Sequence, residues 1–299
     1  MVLDFEIWIS DFEVTLVAAQ GRVRLTMSHS ISNTVQRLLT LAVCVGAILS
    51  HASTLPGQDV EVESDSPTHF MGREIARTMH YRGASWLVRE SRDREEEPRK
   101  LLGALGLEPG QSVCDIGCGN GFYTLLLARH VGPKGLVYAV DIQPEMLDLL
   151  AERAKARGVT NIRRVVGTAT DPKLPAGQID LILAVDVYHE FSHPGEMLEA
   201  MRASLKPRGR LVLVEFRLED PEVPIKLLHK MSQRQVMREL TSNGFKLVGQ
   251  FDELPWQHVL EFARDDSSLP DVALEPWKSP SSGEAADSSS AETKTDPLD

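Results

Sequence analysis

The sequence predicts a three-layer α/β fold, in which helices cover both faces of a mostly parallel sheet. Two observations lead to this prediction. Short β-branched and aliphatic runs alternate with amphipathic helices between about residues 101 and 264. Each run is almost continuously apolar, which is typical of strands whose two faces are both covered. The predicted strands are Ser112–Ile116, Gly135–Asp141, Ile162–Gly167, Ile179–Asp186 and Arg210–Phe216.

The helices between these strands have recognisable ends, namely prolines in the first turn, a capping box and glycine stops. They run from Phe122 to about His130, from Pro144 to Arg157, from Pro194 onward, and from Ser232 to Asn243. Two further strands, Phe245–Phe251 and His258–Phe262, follow and are joined by a loop that contains Pro255. Because no helix separates these two strands, we expect the final strand to run antiparallel to its neighbour.

A glycine-rich turn, VCDIGCGNG over residues 113–121, leads from the first strand into the first helix. Its glycines are Gly117, Gly119 and Gly121. Glycine allows a sharp turn and a close approach by a ligand, which would lie outside the carboxyl ends of the strands. Asp115 within the turn suits a cationic ligand better than an anionic pyrophosphate. Phe122 stands where a dinucleotide motif has its third glycine, so S-adenosylmethionine is favoured over NAD.

Asp141 is the second element of the predicted site. It ends the second strand, where a carboxylate can accept hydrogen bonds from both ribose hydroxyls of a nucleoside. NAD-binding proteins have an acid at a similar place, so this residue indicates a nucleoside without specifying one. A helix cap ahead of Pro144 is the structural alternative.

Three segments resemble successive motifs of class I S-adenosylmethionine-dependent methyltransferases, of the broad type 11/25 kind. They are VCDIGCGNG, VYAVDIQPEML and LILAVDVYHEF, and the resemblance covers about residues 80–264. It implies a seven-stranded, Rossmann-like sheet with an antiparallel last strand. It also implies an enzyme that transfers a methyl group from S-adenosylmethionine to an acceptor, which we expect to be a small molecule.

The resemblance further implies roles for individual residues. Asp115 and the turn Gly117–Gly121 would hold the methionine moiety, and Asp141 would hold the ribose. Asp186, at the end of the fourth strand, would lie beside the transferred methyl group.

The adenine contacts implied by the resemblance are less regular. Ile142 would pack on the adenine ring, and the segment 167–169 would lie along it. Many relatives have an aspartate in place of Thr168, where it accepts from the adenine amino group. Threonine puts that hydrogen bond in doubt, and Asp171 lies further along the chain.

Several titratable residues follow the fourth strand and are expected at the rim of the same crevice. They are Tyr188, His189, Glu190 and His193. A general base is needed only if the acceptor is an unactivated hydroxyl or ammonium group. His189 is the candidate base, with a structural role as the alternative, and Glu215 at the end of the fifth strand is a second candidate.

Three other interpretations remain open at this stage. A Cys₂His₂ zinc site would use Cys114, Cys118, His189 and His193. Cys114 is expected to point into the core and Cys118 lies within the turn, so we predict no metal. A methyltransferase-like protein that binds S-adenosylmethionine without catalysis, and a nicotinamide-dependent oxidoreductase, are the alternative functions.

Composition separates the two ends of the chain from this predicted domain. The formal charge is −11, but nine acids and two lysines lie within residues 265–299, which we predict to be a disordered tail. The acidity argues against a nucleic-acid surface, and three cysteines exclude a disulfide scaffold. The methyltransferase domain is predicted over residues 69–264, after a linker at 53–68. Within it, residues 89–100 carry both charges, as in a solvated helix face.

The N-terminal extension, residues 1–52, contains a twelve-residue apolar run from Leu38 to Leu49. The run is shorter than the about 20 residues of a membrane span. Arg37 precedes it and small residues follow, which is the layout of a secretory signal peptide in a chain that starts at Met27. A buried helix is the alternative. We therefore expect an exported, periplasmic or membrane-anchored protein.

Overall fold

The structure is a computed structural model that describes residues 6–10, 13–18, 21–26 and 67–279. The chain divides into two compact units, Met1–Ser64 and Asp65–Asp299. In the first unit, β1 (Glu6–Ser10), β2 (Glu13–Ala18) and β3 (Gly21–Thr26) form an antiparallel sheet. The apolar run at 38–49 lies outside the described residues. Within the described part of the chain, no helix is long and apolar enough to cross a membrane.

The second unit is built on a seven-stranded sheet. Its strands are β6 (Ser112–Ile116), β7 (Leu136–Asp141), β8 (Ile162–Val166), β9 (Ile179–Val185), β10 (Leu205–Phe216), β11 (Phe245–Phe251) and β12 (Gln257–Arg264). The strand order is β11-β12-β10-β9-β6-β7-β8. Strand β12 runs antiparallel to both of its neighbours, and the other pairs are parallel. The predicted fold class, including the antiparallel last strand, is therefore confirmed.

Among the described residues, six α-helices accompany this sheet. They are α1 (Arg92–Glu96), α2 (Pro98–Ala104), α3 (Phe122–Val131), α4 (Pro144–Ala156), α5 (Pro194–Ser204) and α6 (Gln233–Thr241). Apolar residues of α5 and α6 pack on one face of the sheet, and those of α2, α3 and α4 pack on the other. The strands alternate between the two layers, since Val113 faces one and Cys114 the other. This burial on both faces explains why the strands read as continuous apolar runs.

The segment before the sheet differs from its prediction. It contains a two-residue hairpin of β4 (His69–Phe70) and β5 (Arg73–Glu74), a 3-10 helix at Tyr81–Val88, and the short helix α1. The expectation that residues 89–100 form a solvated helix face is wrong, because Arg92 and Glu96 are buried. Glu97 ends α1 in the left-handed region, at φ 42°. Pro98 follows it, and a proline disfavours the α conformation of the residue before it.

The C-terminal boundary also differs, because residues 265–279 contact the domain. The backbone N–H of Val272 donates to the Leu247 carbonyl at 3.0 Å. The guanidinium of Arg217, itself buried, lies 4.7 Å from the centre of the Trp277 ring. We call residues 265–279 the C-terminal strap. The acidic composition concealed these anchors, so the predicted disordered tail began too early.

Strand β12 buries a histidine that has no polar partner. His258 is 0 % exposed, and neither ring nitrogen has a hydrogen-bond partner among the residues that the structure describes. Burial, with a smaller contribution from Arg217, lowers the pKa of His258 to about 3. In the unfolded chain the same side chain titrates near pH ~6.5. As the pH falls below that value, His258 becomes protonated in the unfolded state but stays neutral in the folded state.

We therefore expect His258 to make the protein less stable as the pH falls from 6.5 toward 3. Relative to a His258→Phe variant, the wild type should lose about 2 kcal/mol of unfolding free energy between pH 7.5 and pH 5. Urea unfolding of both proteins at the two pH values measures this, and the comparison cancels any pH-independent packing strain. His130→Gln, at an exposed histidine, is the control. Parallel pH profiles for wild type and His258→Phe would contradict the assignment.

Candidate functional site

A cavity of about 640 Å³ lies at the carboxyl ends of the parallel strands. The strand ends contribute Ile116, Gly117, Asp141, Asp186 and Phe216 to its wall. Two segments from outside the sheet close it, one within residues 77–92 and the other within 224–229. The cavity has the size and position typical of a ligand site in an open α/β sheet.

The glycine-rich turn forms one end of this cavity. Gly117 and Gly119 line it, whereas Gly121 packs away from it. Gly119 has φ +51°, and its N–H donates to Asp141 Oδ2 at 2.9 Å. A Cβ at Gly121, which has φ +81°, would lie 2.1 Å from Leu150 Cδ1. The turn therefore needs glycine both to face the cavity and to pack against α4.

Asp115 lies beneath the turn and does not line the cavity. It is 3 % exposed, and its Oδ2 accepts a hydrogen bond of 2.5 Å from the Thr124 hydroxyl on α3. Burial raises the pKa of Asp115 to about 7. Through this hydrogen bond, Asp115 stabilises the first turn of α3. Its predicted contact with a methionine moiety stays a prediction.

Asp141, Ile142 and Thr168 come together on one wall of the cavity. The carboxylate of Asp141 accepts the backbone N–H of Gly119 and, through Oδ1, that of Gln143 at 2.9 Å. Each of its oxygens keeps a second lone pair for a ligand hydroxyl. Burial raises the pKa of Asp141. Ile142 is 46 % exposed, which leaves an apolar surface for a flat ring.

Thr168 is exposed, and its hydroxyl accepts the backbone N–H of Asp171 at 3.0 Å. The carboxylate of Asp171 binds Lys173. Asp171 is absent from the residues that line the cavity. Thr168 and Ala169 are therefore the members of this loop that line the cavity.

Asp186 occupies a strained position at the end of β9. It has φ +50°, a region that non-glycine residues seldom adopt. Its Oδ2 accepts a hydrogen bond of 2.7 Å from Gln257 Nε2. Its Oδ1 is buried and has no partner within the described part of the chain. Burial raises the pKa of Asp186 well above its usual range, and the carboxylates of Glu96 and Glu215 raise it further.

Arg92 is a cavity residue that the sequence analysis missed. Its Nε donates to Glu96 Oε2 at 2.8 Å, and its Nη1 donates to the Leu87 carbonyl at 2.7 Å. The guanidinium lies 4.3 Å from the centre of the Phe122 ring, beside the glycine turn. In the run of mixed charges at residues 89–100, the sequence does not indicate which side chain is buried. No signal in the sequence therefore pointed to Arg92.

These residues fit S-adenosylmethionine. Its methionine end carries an ammonium and a carboxylate. The cavity lining includes Arg92 and Asp186, whose buried Oδ1 has no partner among the described residues. Its ribose hydroxyls need an acceptor, which Asp141 supplies, and its adenine needs an apolar surface, which Ile142 supplies. The buried Oδ1 of Asp186 is the most specific of these features. A buried acceptor without a hydrogen-bond donor lowers the stability of a fold, so this atom favours a ligand that brings a donor.

A histidine cluster forms a polar part of the cavity wall. His189 Nδ1 lies 2.6 Å from Glu215 Oε2, and His189 Nε2 lies 3.1 Å from His229 Nδ1. Glu190 Oε1 is 3.9 Å from both of the latter nitrogens. Burial raises the pKa of Glu190 to about 7, and burial lowers that of His229. We call His189, Glu190 and His229 the histidine cluster.

This geometry changes the roles proposed for two candidate bases. Glu215 is 0 % exposed and lies behind His189, so it orients that imidazole and does not meet an acceptor. The outer nitrogen of His189 already faces His229. His193 instead contacts Ser192, and Cys114 and Cys118 are buried free thiols. In the described residues, the cluster with metal-ligand spacing is the histidine cluster, not the Cys₂His₂ set.

Comparison with known proteins agrees with the geometry. Residues 107–264 match a protein family described as "Methyltransferase domain". Nocamycin O-methyltransferase of Saccharothrix syringae is 32 % identical over 115 residues, which are 38 % of this chain and 41 % of that protein. A ubiquinone/menaquinone biosynthesis C-methyltransferase of Vibrio vulnificus is 33 % identical over 119 residues, 40 % of this chain and 46 % of that one. The matched part thus spans less than half of each curated relative.

The fold is also similar to that of a solved protein. The crystal structure of a SAM-dependent methyltransferase from Aquifex aeolicus superposes with a TM-score of 0.59 at 26 % identity. The match covers 62 % of this chain and 98 % of that protein. The similarity therefore extends over essentially the whole of a smaller protein.

Proposed function

Because the chain belongs to the methyltransferase domain family, we propose that it transfers a methyl group from S-adenosylmethionine to a small, largely apolar molecule. The observation that carries this proposal is that Asp186, whose buried Oδ1 has no partner among the described residues, lines the same cavity as Arg92 and Asp141. Together these residues offer partners for the charged groups and the ribose hydroxyls of S-adenosylmethionine. The curated relatives, named as an O- and a C-methyltransferase of small molecules, support the same class of reaction.

The cofactor would be held by residues from three parts of the chain. Arg92 would bind its carboxylate, Asp186 its ammonium group, and Asp141 its ribose. When bound, the cofactor supplies an electrophilic methyl group on a sulfonium sulfur. Asp141 also holds the N–H of Gly119, so it shapes the glycine turn as well as meeting the ligand. The protein's main contribution is positioning, because methyl transfer is an in-line displacement at carbon.

The acceptor would occupy the rest of the cavity. The apolar residues that line the cavity include Trp86, Phe191, Met197 and Ile225. The histidine cluster is a polar part of the cavity wall. A molecule with an apolar body and one nucleophilic oxygen or other heteroatom fits such a surface, because its polar atom then meets the cluster and its body displaces water from the rest.

Calorimetry with S-adenosylhomocysteine and a methyl-transfer screen test this proposal on the full chain. We expect one molecule to bind per chain, and methyl-labelled S-adenosylmethionine to label acceptors among small hydroxylated aromatic and aliphatic compounds. Failure to bind S-adenosylhomocysteine would overturn the proposal. Normal binding with no labelled product from a broad metabolite extract would favour a protein that binds the cofactor without catalysis.

A further inference from the structure

We infer that His189, Glu190 and His229 bind a divalent transition-metal ion at the acceptor end of the cavity. The site would use His189 Nε2, His229 Nδ1 and Glu190 Oε1, which all lie within 4.8 Å of one another. The metal site stands on geometry alone, whereas its role in methyl transfer rests on the proposed function. No such site was expected from the sequence, because His229 lies 40 residues beyond His189.

The distances suit one shared ion. Two nitrogens bound at about 2.1 Å to the same metal are separated by about 3.0–3.4 Å, depending on the coordination angle. The observed separation between His189 Nε2 and His229 Nδ1 is 3.1 Å. Glu190 Oε1 is 3.9 Å from each nitrogen, so a small side-chain rotation completes the set. The ligands are two imidazoles and one carboxylate, the composition of many catalytic metal sites.

Surrounding groups already orient the ligands as a metal site requires. Glu215 Oε2, 2.6 Å from His189 Nδ1, accepts a hydrogen bond from the N–H at that nitrogen, which leaves the lone pair of Nε2 for a metal. Histidine ligands almost always have such a carboxylate or carbonyl partner. Glu190 Oε2 accepts the backbone N–H of Met79 at 3.2 Å, which leaves Oε1 toward the histidines. Glu215 also accepts the N–H of Tyr188, so it is itself fixed.

The ligand types indicate which ions fit. Nitrogen ligands with one carboxylate favour Zn²⁺, Co²⁺, Ni²⁺ or Fe²⁺ over Mg²⁺ and Ca²⁺, which prefer oxygen ligands throughout. Three protein ligands leave coordination positions open, and all three residues line the cavity. The open positions would therefore face the acceptor.

The ion would activate an acceptor hydroxyl. Coordination lowers the pKa of the hydroxyl, and its proton leaves to cavity water, so the oxygen becomes a stronger nucleophile. A lone pair of that oxygen then forms the O–C bond to the methyl group as the C–S bond breaks. The electron pair of the C–S bond stays on sulfur, and the sulfonium becomes a neutral thioether. No oxidant or reductant is needed.

Metal binding is measured first without any acceptor. The full chain, stripped with a chelator, is titrated with Zn²⁺ by calorimetry and with Co²⁺ by visible absorption. We expect one ion per chain, with visible bands that report nitrogen ligands. His229→Gln and Glu190→Gln should each weaken binding at least 10-fold, and Glu215→Gln should weaken it about 10- to 100-fold through His189. His193→Gln is the matched control and should bind as the wild type does.

The same variants separate this inference from the proposed function. His229→Gln should bind S-adenosylhomocysteine like the wild type, because His229 is not among the residues that would hold the cofactor. Wild-type Co²⁺ bands without S-adenosylhomocysteine binding would overturn the proposed function and keep the metal site. The absence of Co²⁺ bands, or a single Zn²⁺ site that His229→Gln leaves unchanged, would overturn the metal site. Circular dichroism of each variant establishes that it is folded.

Discussion

Replacing Asp141 by alanine is expected to lower the affinity for S-adenosylhomocysteine about 100-fold or more. The carboxylate would accept hydrogen bonds from the ribose, and it also holds the N–H of Gly119 in the glycine turn at 2.9 Å. A hydrogen bond to a charged group contributes about 1.5–3 kcal/mol, and a 100-fold change corresponds to about 2.7 kcal/mol. Loss of one direct contact, together with a loosened turn, reaches that value. Isothermal titration calorimetry measures the change.

Asp148→Ala is the matched control for this experiment. Asp148 is an exposed acid on α4 whose carboxylate pairs with Arg164 at 3.0 Å, outside the cavity lining. The substitution removes the same charge from the same region and should leave the affinity within about twofold, since exposed ion pairs contribute little. If Asp141→Ala also bound S-adenosylhomocysteine normally, the ribose assignment would be wrong.

Replacing Gly121 by alanine is expected to destabilise the fold by about 2–5 kcal/mol. The residue has φ +81°, and a Cβ there would lie 2.1 Å from Leu150 Cδ1 and 3.1 Å from Leu150 Cγ. The left-handed backbone costs an alanine about 1–2 kcal/mol, and forcing extra volume into a packed interface adds about 1–3 kcal/mol. Leu150 is fully buried, so it has little room to move. Urea denaturation at neutral pH measures the loss.

Gly158→Ala separates these two causes. Gly158 has φ +64°, but a Cβ there would meet no atom within 4 Å, so its substitution should cost only the backbone contribution. In a Leu150→Ala background the cost of Gly121→Ala should fall, because the clashing methyl group is gone. Equal costs for the two glycine substitutions, or additivity of Gly121→Ala with Leu150→Ala, would contradict the packing explanation.

The sheet is the part of the fold that the sequence predicts best. Strand β6 begins and ends as predicted, because a continuous apolar run between turn residues has few alternative readings. Strand β10 was predicted from Arg210, but it begins at Leu205. The intervening Lys-Pro-Arg-Gly does not resemble a strand, and the pairing with β9 shifts register between Leu205 and Arg210. The hydrophobic pattern of one strand does not reveal such a register shift, because the shift depends on the pairing with the neighbouring strand.

The residues of the site also fall into those that the sequence predicts and those that it does not. Asp141 and Asp186 could be located because each lies at the carboxyl end of a buried strand, and such ends meet at one edge of the sheet. Arg92 and His229 could not, since both lie in segments without regular periodicity and reach the cavity only through tertiary packing. In the sequence His193 is the histidine nearest to His189, whereas the one that contacts His189 Nε2 is His229, from the segment after β10.

The contacts of the C-terminal strap determine where an expressed fragment of this protein should end. The family match ends at residue 264, yet Trp277 covers Arg217, whose guanidinium donates to the carbonyls of Leu254 and Gln257 at the entrance to β12. An expression clone trimmed to the family boundary would remove this cover from a buried cation. It would also remove the partner of the Leu247 carbonyl, at Val272. The unit to clone, crystallise or graft therefore extends to residue 279, beyond the end at which the homology stops.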